Sequence, residues 1–243
     1  MLTRFLDGFS CVIAAMSLLF KAGIRKYVIV PLLINVMIFG GLIWFGLGYF
    51  QTLLDTLTDW TPAWLDWIQW LLWPLAVIMV LIIVYYSFTV VANLIAAPFN
   101  SFLSQRVEKF LSGGGDTNTA PAQSIAGMAG RTLWSEVRKI LYQLKWLIGL
   151  LLITFIPGVN LVAPFAWAYF GIWMLSIEYA DYPMGNHGLY FAEVKKTLKQ
   201  DKPAALGLGA GIMLLTLVPG LNFLAMPTGV IGGTLYWVRR TKA

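Results

Sequence analysis

The residues Lys21-Ala22-Gly23-Ile24-Arg25-Lys26 gather three cations and a glycine between an apolar stretch and a long uncharged one beginning Tyr27-Val28-Ile29-Val30-Pro31. Glycine lets the backbone turn tightly. The amides that open a helix have no partners within it, so they can face an anion. Arg25 and Lys26 add two positive charges at the same place. The turn therefore reads as an anion-handling site at the mouth of a membrane protein. A plainer reading is that these are the basic residues that flank most spans on the cytoplasmic side. The six residues alone do not separate the two.

The elements that must position this turn are set by composition. The chain has 243 residues, 59% of them hydrophobic and 12% charged. Ordinary soluble domains are roughly 45–50% apolar and about 25% charged, so this is a membrane protein. Its length fits one integral domain, 1–243, without a separate soluble module. The net charge of +6 comes from basic clusters between apolar segments, which suits a positive cytoplasmic rim better than a nucleic-acid face. The single Cys11 excludes an internal disulfide and reads as a packing residue. No cleaved signal peptide is expected, since Arg4 and Asp7 cancel ahead of the first apolar run and no small-residue cleavage site follows.

Residues Leu2 to Phe20 read as a helix with Asp7, Ser10, Ala14, Ser17 and Lys21 on one small or polar stripe, so it either spans or lies near the interface. Residues 27–50 carry no charge and would form roughly 36 Å of helix, a full span. After them come Asp55, Asp59 and Asp66, with Trp60, Trp64, Trp67, Trp70 and Trp73 fitting an aromatic belt at the outer surface. Residues 70–97 are the second full span. No basic residue occurs between Lys26 and Arg106, which places the tryptophan-rich loop outside.

Past Pro98, Phe99, Phe102, Leu103, Val107 and Phe110 share one helical face. Residues 112–130 read as a flexible cytoplasmic linker around Gly113-Gly114-Gly115. Arg131 to Lys145 predicts an amphipathic interfacial helix, with Leu133, Trp134, Val137, Ile140, Leu141 and Leu144 opposite Glu136, Arg138 and Lys139.

An internal repeat then follows. Ile156-Pro157-Gly158-Val159-Asn160-Leu161 recurs 62 residues on as Val218-Pro219-Gly220-Leu221-Asn222-Phe223. Proline then glycine ends a helix and turns the chain, so each apolar stretch should break into two arms. Lys195, Lys196, Lys199 and Lys202 lead into the second stretch, and Arg239, Arg240 and Lys242 leave it. A single crossing would put one cluster outside, whereas a hairpin keeps both inside. Arms of about 11 to 17 residues fall short of the roughly 20 needed to cross. The expectation is two re-entrant hairpins, 146–177 and 203–238, whose non-helical tips must be covered by protein or face water. The fold class is thus an all-α integral membrane protein: two full-length transmembrane helices, two re-entrant hairpins and amphipathic interfacial helices.

With these segments in place, the sequence resembles the CysZ family of bacterial sulfate permeases. Four stretches carry the likeness: Gly23-Ile24-Arg25-Lys26; Asn93-Leu94-Ile95-Ala96-Ala97-Pro98-Phe99-Asn100; Glu178-Tyr179-Ala180-Asp181-Tyr182-Pro183 leading to Asn186-His187-Gly188; and the paired Pro-Gly-x-Asn tips. The resemblance implies multi-pass residence in the bacterial inner membrane, sulfate uptake for cysteine biosynthesis, and sulfate binding at Gly23, Ile24, Arg25 and Lys26. Lys26 stands where some relatives have a second arginine; lysine keeps the charge but loses the planar fork.

Sulfate at neutral pH has no proton to donate, so its site should offer donors only. The nearest acid in sequence to the turn is Asp7, which mildly favours sulfate over protonated phosphate. Asn93, Asn100, Arg106 and Glu108 are candidates to line the path, the alternative being a solvated helix end. Arg106 and Glu108, two apart, need different partners. Glu178 and Asp181 should pair with the basic rim rather than carry protons. His187, the one histidine, suits a loop hydrogen bond or a pH-sensing role. No catalytic constellation, metal or cofactor is expected. Two spans are too few to enclose a wet path, so a homo-oligomer among membrane lipids follows. The competing reading is a membrane scaffold whose basic rim anchors lipid headgroups.

Overall fold

The computed structural model describes residues 1–59, 74–75, 77–79, 81–82, 85–86, 99–113 and 125–241. Among them the regular structure is helical: α1 Leu2–Leu19, α2 Lys26–Asp59, α3 over 99–111, α4 Ile125–Phe155, α5 Ala163–Asn186, α6 Phe191–Gln200, α7 Lys202–Leu217 and α8 Asn222–Thr241. Among the described residues three stretches are long and apolar enough to cross a membrane: Leu2–Leu19, Lys26–Trp44 and Asn160–Asn186. The chain forms two compact units, Met1–Lys26 with Asn100–Ala243, and Tyr27–Phe99.

In the first unit α1, α5, α7 and α8 pack on one another. Their axes come close because glycine removes the side chain at the crossing. A Cβ at Gly8 would collide with the Ala204 carbonyl, and one at Gly207 with the Phe5 carbonyl, which locks α1 to α7. Gly209 meets the Ile172 carbonyl in the same way, and Gly233 that of Tyr179, bringing α7 and α8 onto α5. Cys11, Val12, Ala15, Ile177, Ala180, Leu208, Ile212 and Ile231 fill the space between. Cys11 is a packing residue, as its apolar setting indicated.

The repeat appears as two helix–turn–helix hairpins, α4–α5 and α7–α8. Gly158 and Gly220 turn the chain at φ of 83° and 87°, backbone that favours glycine. The turns are the same down to individual bonds. Asn160 N–H donates to the Ile156 carbonyl and Asn222 N–H to that of Val218, both at 3.1 Å. Val162 to Val159 and Leu224 to Leu221 match in turn, at 3.0 and 2.9 Å. The tips are apolar and bare: Phe155, Leu161, Phe165, Leu217 and Phe223 are all exposed.

The second hairpin returns to its starting end. Arg240 Nη1 lies 3.5 Å from Asp201 Oδ2, so the residues that leave α8 stand beside those that open α7. α7, at 16 residues, has the expected length, whereas the other three arms are longer. α5 runs 24 residues to Asn186, because Tyr179, Ala180, Pro183 and Met184 are buried and sustain the helix past 177.

Other boundaries also move. The amphipathic segment and the first arm of hairpin one are a single 31-residue helix, α4, which begins at Ile125 and so takes the last residues of the expected linker. Trp134, Ile140, Leu141 and Leu144 do face outward, but Lys139, placed with the polar face, is buried. α1 is tied at both ends to the hairpin mouths. Arg4 lies 3.5 Å from Asp201, and the residues after Leu19 meet α3, which is itself bonded to the end of α5.

In the second unit, α2 continues to Asp59 rather than ending at Phe50, so Asp55 and Asp59 sit on the helix instead of in a loop. Most of its large apolar side chains, from Ile29 to Trp44, are exposed, as suits a lipid-facing helix. The tryptophan belt, most of the 70–97 span and Asn93 lie outside the described residues.

Candidate functional site

The Gly23 turn is built from a single carbonyl. α1 ends at Leu19, and the Lys21 carbonyl then accepts from both Ile24 N–H, at 3.1 Å, and Arg25 N–H, at 3.2 Å. Those two amides are satisfied inside the turn and precede the helix-opening amides to which an anion was assigned. α2 starts only at Lys26. The Gly23 amide makes no backbone hydrogen bond among the described residues, and Gly23 has φ of 89°. Ile24 is 1% exposed and pins the turn to the core, leaving the Arg25 and Lys26 side chains outside.

A second guanidinium comes from α3. Arg106 Nη2 and Nε lie 3.4 and 3.9 Å from where a Cβ on Gly23 would sit. Arg106 is exposed. Among the described residues neither Arg25 nor Arg106 has a carboxylate partner. Lys21 Nζ sits 5.0 Å from the centre of the Phe110 ring, a further tie between turn and α3. An arginine fork at Gly23 without a carboxylate partner, with Arg25 exposed on the same turn, offers donors of the kind that suit an oxyanion without a proton.

What holds Arg106 there is a polar stripe. Asn100, Ser104 and Glu108 fall at helical spacing on the buried face of α3, between Leu103 and Val107. Each is bonded. Asn100 Nδ2 donates to Tyr182 Oη at 3.3 Å, Ser104 Oγ lies 2.9 Å from Thr234 Oγ1, and Glu108 Oε1 lies 2.7 Å from His187 Nε2. Gln105 Nε2 donates to Asn186 Oδ1, whose own amide donates to the Ser101 carbonyl, both at 3.3 Å. The histidine therefore makes a hydrogen bond across elements, and its ring lies 5.6 Å from that of Trp237.

The sequence candidates separate accordingly. Arg106 meets the turn at Gly23, Arg25 is exposed two residues further on, and Ile24 is the buried anchor between them. Asn100 and Glu108 are buried struts, and Arg106 and Glu108 do have different neighbours. The stripe's role was missed, although three polar residues four apart between buried aliphatics are the signal for it. Glu178 and Asp181 meet a cation, as anticipated, at Lys139 Nζ, 2.5 and 3.7 Å away. Burial works against the Lys139 charge, but Glu178 and Asp181 outweigh it and hold the ammonium above the ordinary lysine range.

The family model described as sulfate transporter CysZ/etoposide-induced protein 2.4 matches residues 11–227. The chain belongs to this family. Among relatives named sulfate transporter CysZ, that of Pseudomonas paraeruginosa is 42% identical, over 92% of this chain and 91% of its own. The Pseudomonas fluorescens SBW25 protein is 44% identical, over 94% and 89%. The Pectobacterium atrosepticum protein is 40% identical, over 90% and 80%. The CysZ-family match takes in the Gly23 turn, all of α3 and both Pro-Gly tips.

Proposed function

We propose that this chain is a sulfate transporter of the bacterial inner membrane, supplying sulfate for cysteine biosynthesis. The relatives' shared name supports the substrate. The observation that carries the reading is the pair of uncompensated guanidiniums, Arg25 and Arg106, at a positive-φ glycine. Their forks would grip two oxygens each, with Lys26 as a point charge. The surface is open to water, so binding stays loose enough for release, as transport requires. Beyond it the path runs along α3, with Asn100 and Glu108 holding α3 in place.

In this reading the hairpins are re-entrant. Their charged mouths stay at the cytoplasmic surface and their bare apolar tips sit at membrane depth, where irregular backbone must be covered. α1, tied at both ends to those mouths, lies at the interface. Neighbouring copies cover the tips, making a homo-oligomer within membrane lipids. The test is radiolabelled sulfate flux into proteoliposomes, with and without a pH gradient, for wild type and Arg25→Ala. Flux in the wild type that Arg25→Ala abolishes supports the reading; equal flux in both sinks it.

A further inference from the structure

Between α4, α5 and α6 lies a cavity of about 550 Å³ that the sulfate reading does not use. Its depth is apolar, with Gly149, Leu150, Ile153 and Ala166 along the arms of hairpin one. Its rim is aromatic and cationic. Tyr142, Trp146 and Tyr169 form a wall with ring centres 6.4 and 6.5 Å apart, beside Lys145 and Lys195. Lys195 Nζ lies 4.7 Å from the Tyr142 ring centre and 5.2 Å from that of Phe191. Lys202 Nζ lies 5.3 Å from the Tyr169 ring.

These three lysines share one feature. Among the described residues none has a carboxylate partner, and the neighbours of Lys195 and Lys202 are ring faces. Burial, followed by the like charge of Lys199, pushes Lys195 below the usual lysine range, so a nearby anion would relieve it. An unbalanced positive rim above an apolar cleft matches a molecule with an anionic head and a hydrocarbon tail. A small inorganic anion would use the rim and leave the cleft empty. The other faces of α4 are also bare and apolar, with Leu147, Ile148, Leu151 and Leu152 exposed. Aromatic belts with snorkelling lysines are how proteins meet the headgroup level.

We propose that this cleft is a binding site for one anionic phospholipid, its phosphate held by Lys145 and Lys195 and its acyl chain laid along Leu150 and Ile153. The lipid would clamp α6 onto hairpin one. The site is separate from the Gly23 turn.

The experiment uses the full chain in nanodiscs of phosphatidylcholine with or without phosphatidylglycerol, read by native mass spectrometry for retained lipid and by thermal unfolding. Phosphatidylglycerol should be retained and raise Tm. Lys145→Gln with Lys195→Gln should weaken retention by about 30-fold, and the paired arginine variant should keep it. Gly149→Leu gives an independent arm, because nothing lies within 4 Å of where its Cβ would sit. It should fold, fill the cleft and displace the lipid. Sulfate-dependent stabilisation should persist in these variants, which separates this outcome from that of the transport reading. The proposal is overturned if Gly149→Leu retains phosphatidylglycerol fully. It is equally overturned if inorganic phosphate in plain phosphatidylcholine discs gives the same lysine-dependent rise in Tm.

Discussion

The Arg106 guanidinium lies over Gly23, with Nη2 3.4 Å from the point where a Cβ would be. That spacing is ordinary contact, so the bar to a side chain at 23 is mainly backbone, with φ of 89°. Gly23→Ala should cost about 1–2 kcal/mol through left-handed strain. By straining the turn that Arg106 lies over, it should also weaken sulfate-dependent stabilisation. Gly23→Asn, which tolerates this region better, should lose less. Thermal unfolding with and without sulfate checks both; an alanine variant as stable and as responsive as wild type would contradict the turn's role.

Arg106 itself can be probed without threatening the fold, because it is exposed and forms no ion pair among the described residues. Charge-assisted hydrogen bonds contribute about 1.5–3 kcal/mol, so Arg106→Gln should weaken sulfate binding roughly 10- to 100-fold. Arg106→Lys keeps the charge without the fork and should fall between. Calorimetric titration with sulfate measures the order. Binding unchanged in Arg106→Gln would remove α3 from the site.

Behind that residue stands the Glu108–His187 pair, at 2.7 Å with Glu108 only 8% exposed. His187→Phe should strand a buried carboxylate and cost about 2–4 kcal/mol. Adding Glu108→Gln should return part of that loss, since an amide is cheaper to bury than a lone charge. Both variants should also weaken sulfate binding, because α3 carries Arg106. Unfolding midpoints for the two single variants and the double give the coupling directly.

The helical class, the Pro-Gly hairpin turns and the basic turn were legible because each rests on local chemistry. A proline, a glycine or a charge run acts within a few residues of itself. What escaped was set by packing. α4 runs unbroken from Ile125 because no proline or glycine pair interrupts it, although its composition changes from amphipathic to apolar near Lys145. α5 outlasts its apolar run because its last turns are buried against other elements. Asn100 and Glu108 were open to a reading as a solvated helix end, since a polar residue reads as exposed until its partner, here 82 and 79 positions away, is known. Lys139 misled for the same reason: helical periodicity puts it on the polar face, and only the acids of α5 turn it inward.

That lysine supplies the last test. Its side chain is 10% exposed, against 44% and 29% for Glu178 and Asp181, so water screens the acids more than the cation. Lys139→Met removes the cation and leaves two carboxylates three residues apart on α5. The loss should be about 2 kcal/mol, below the figure for a fully buried pair because of that screening. The pH dependence has a definite sign. The folded value of Lys139 is raised above 10.5, so its stabilisation is complete below that pH and disappears only as pH climbs through the folded value. Across the neutral range Lys139 should therefore add no slope to wild-type stability. In Lys139→Met the stranded carboxylates should instead regain stability on acidification, as protonation relieves their repulsion. Unfolding midpoints across the acid-to-neutral range separate the cases, and a variant whose midpoint tracks wild type at every pH would show the triad to be inert.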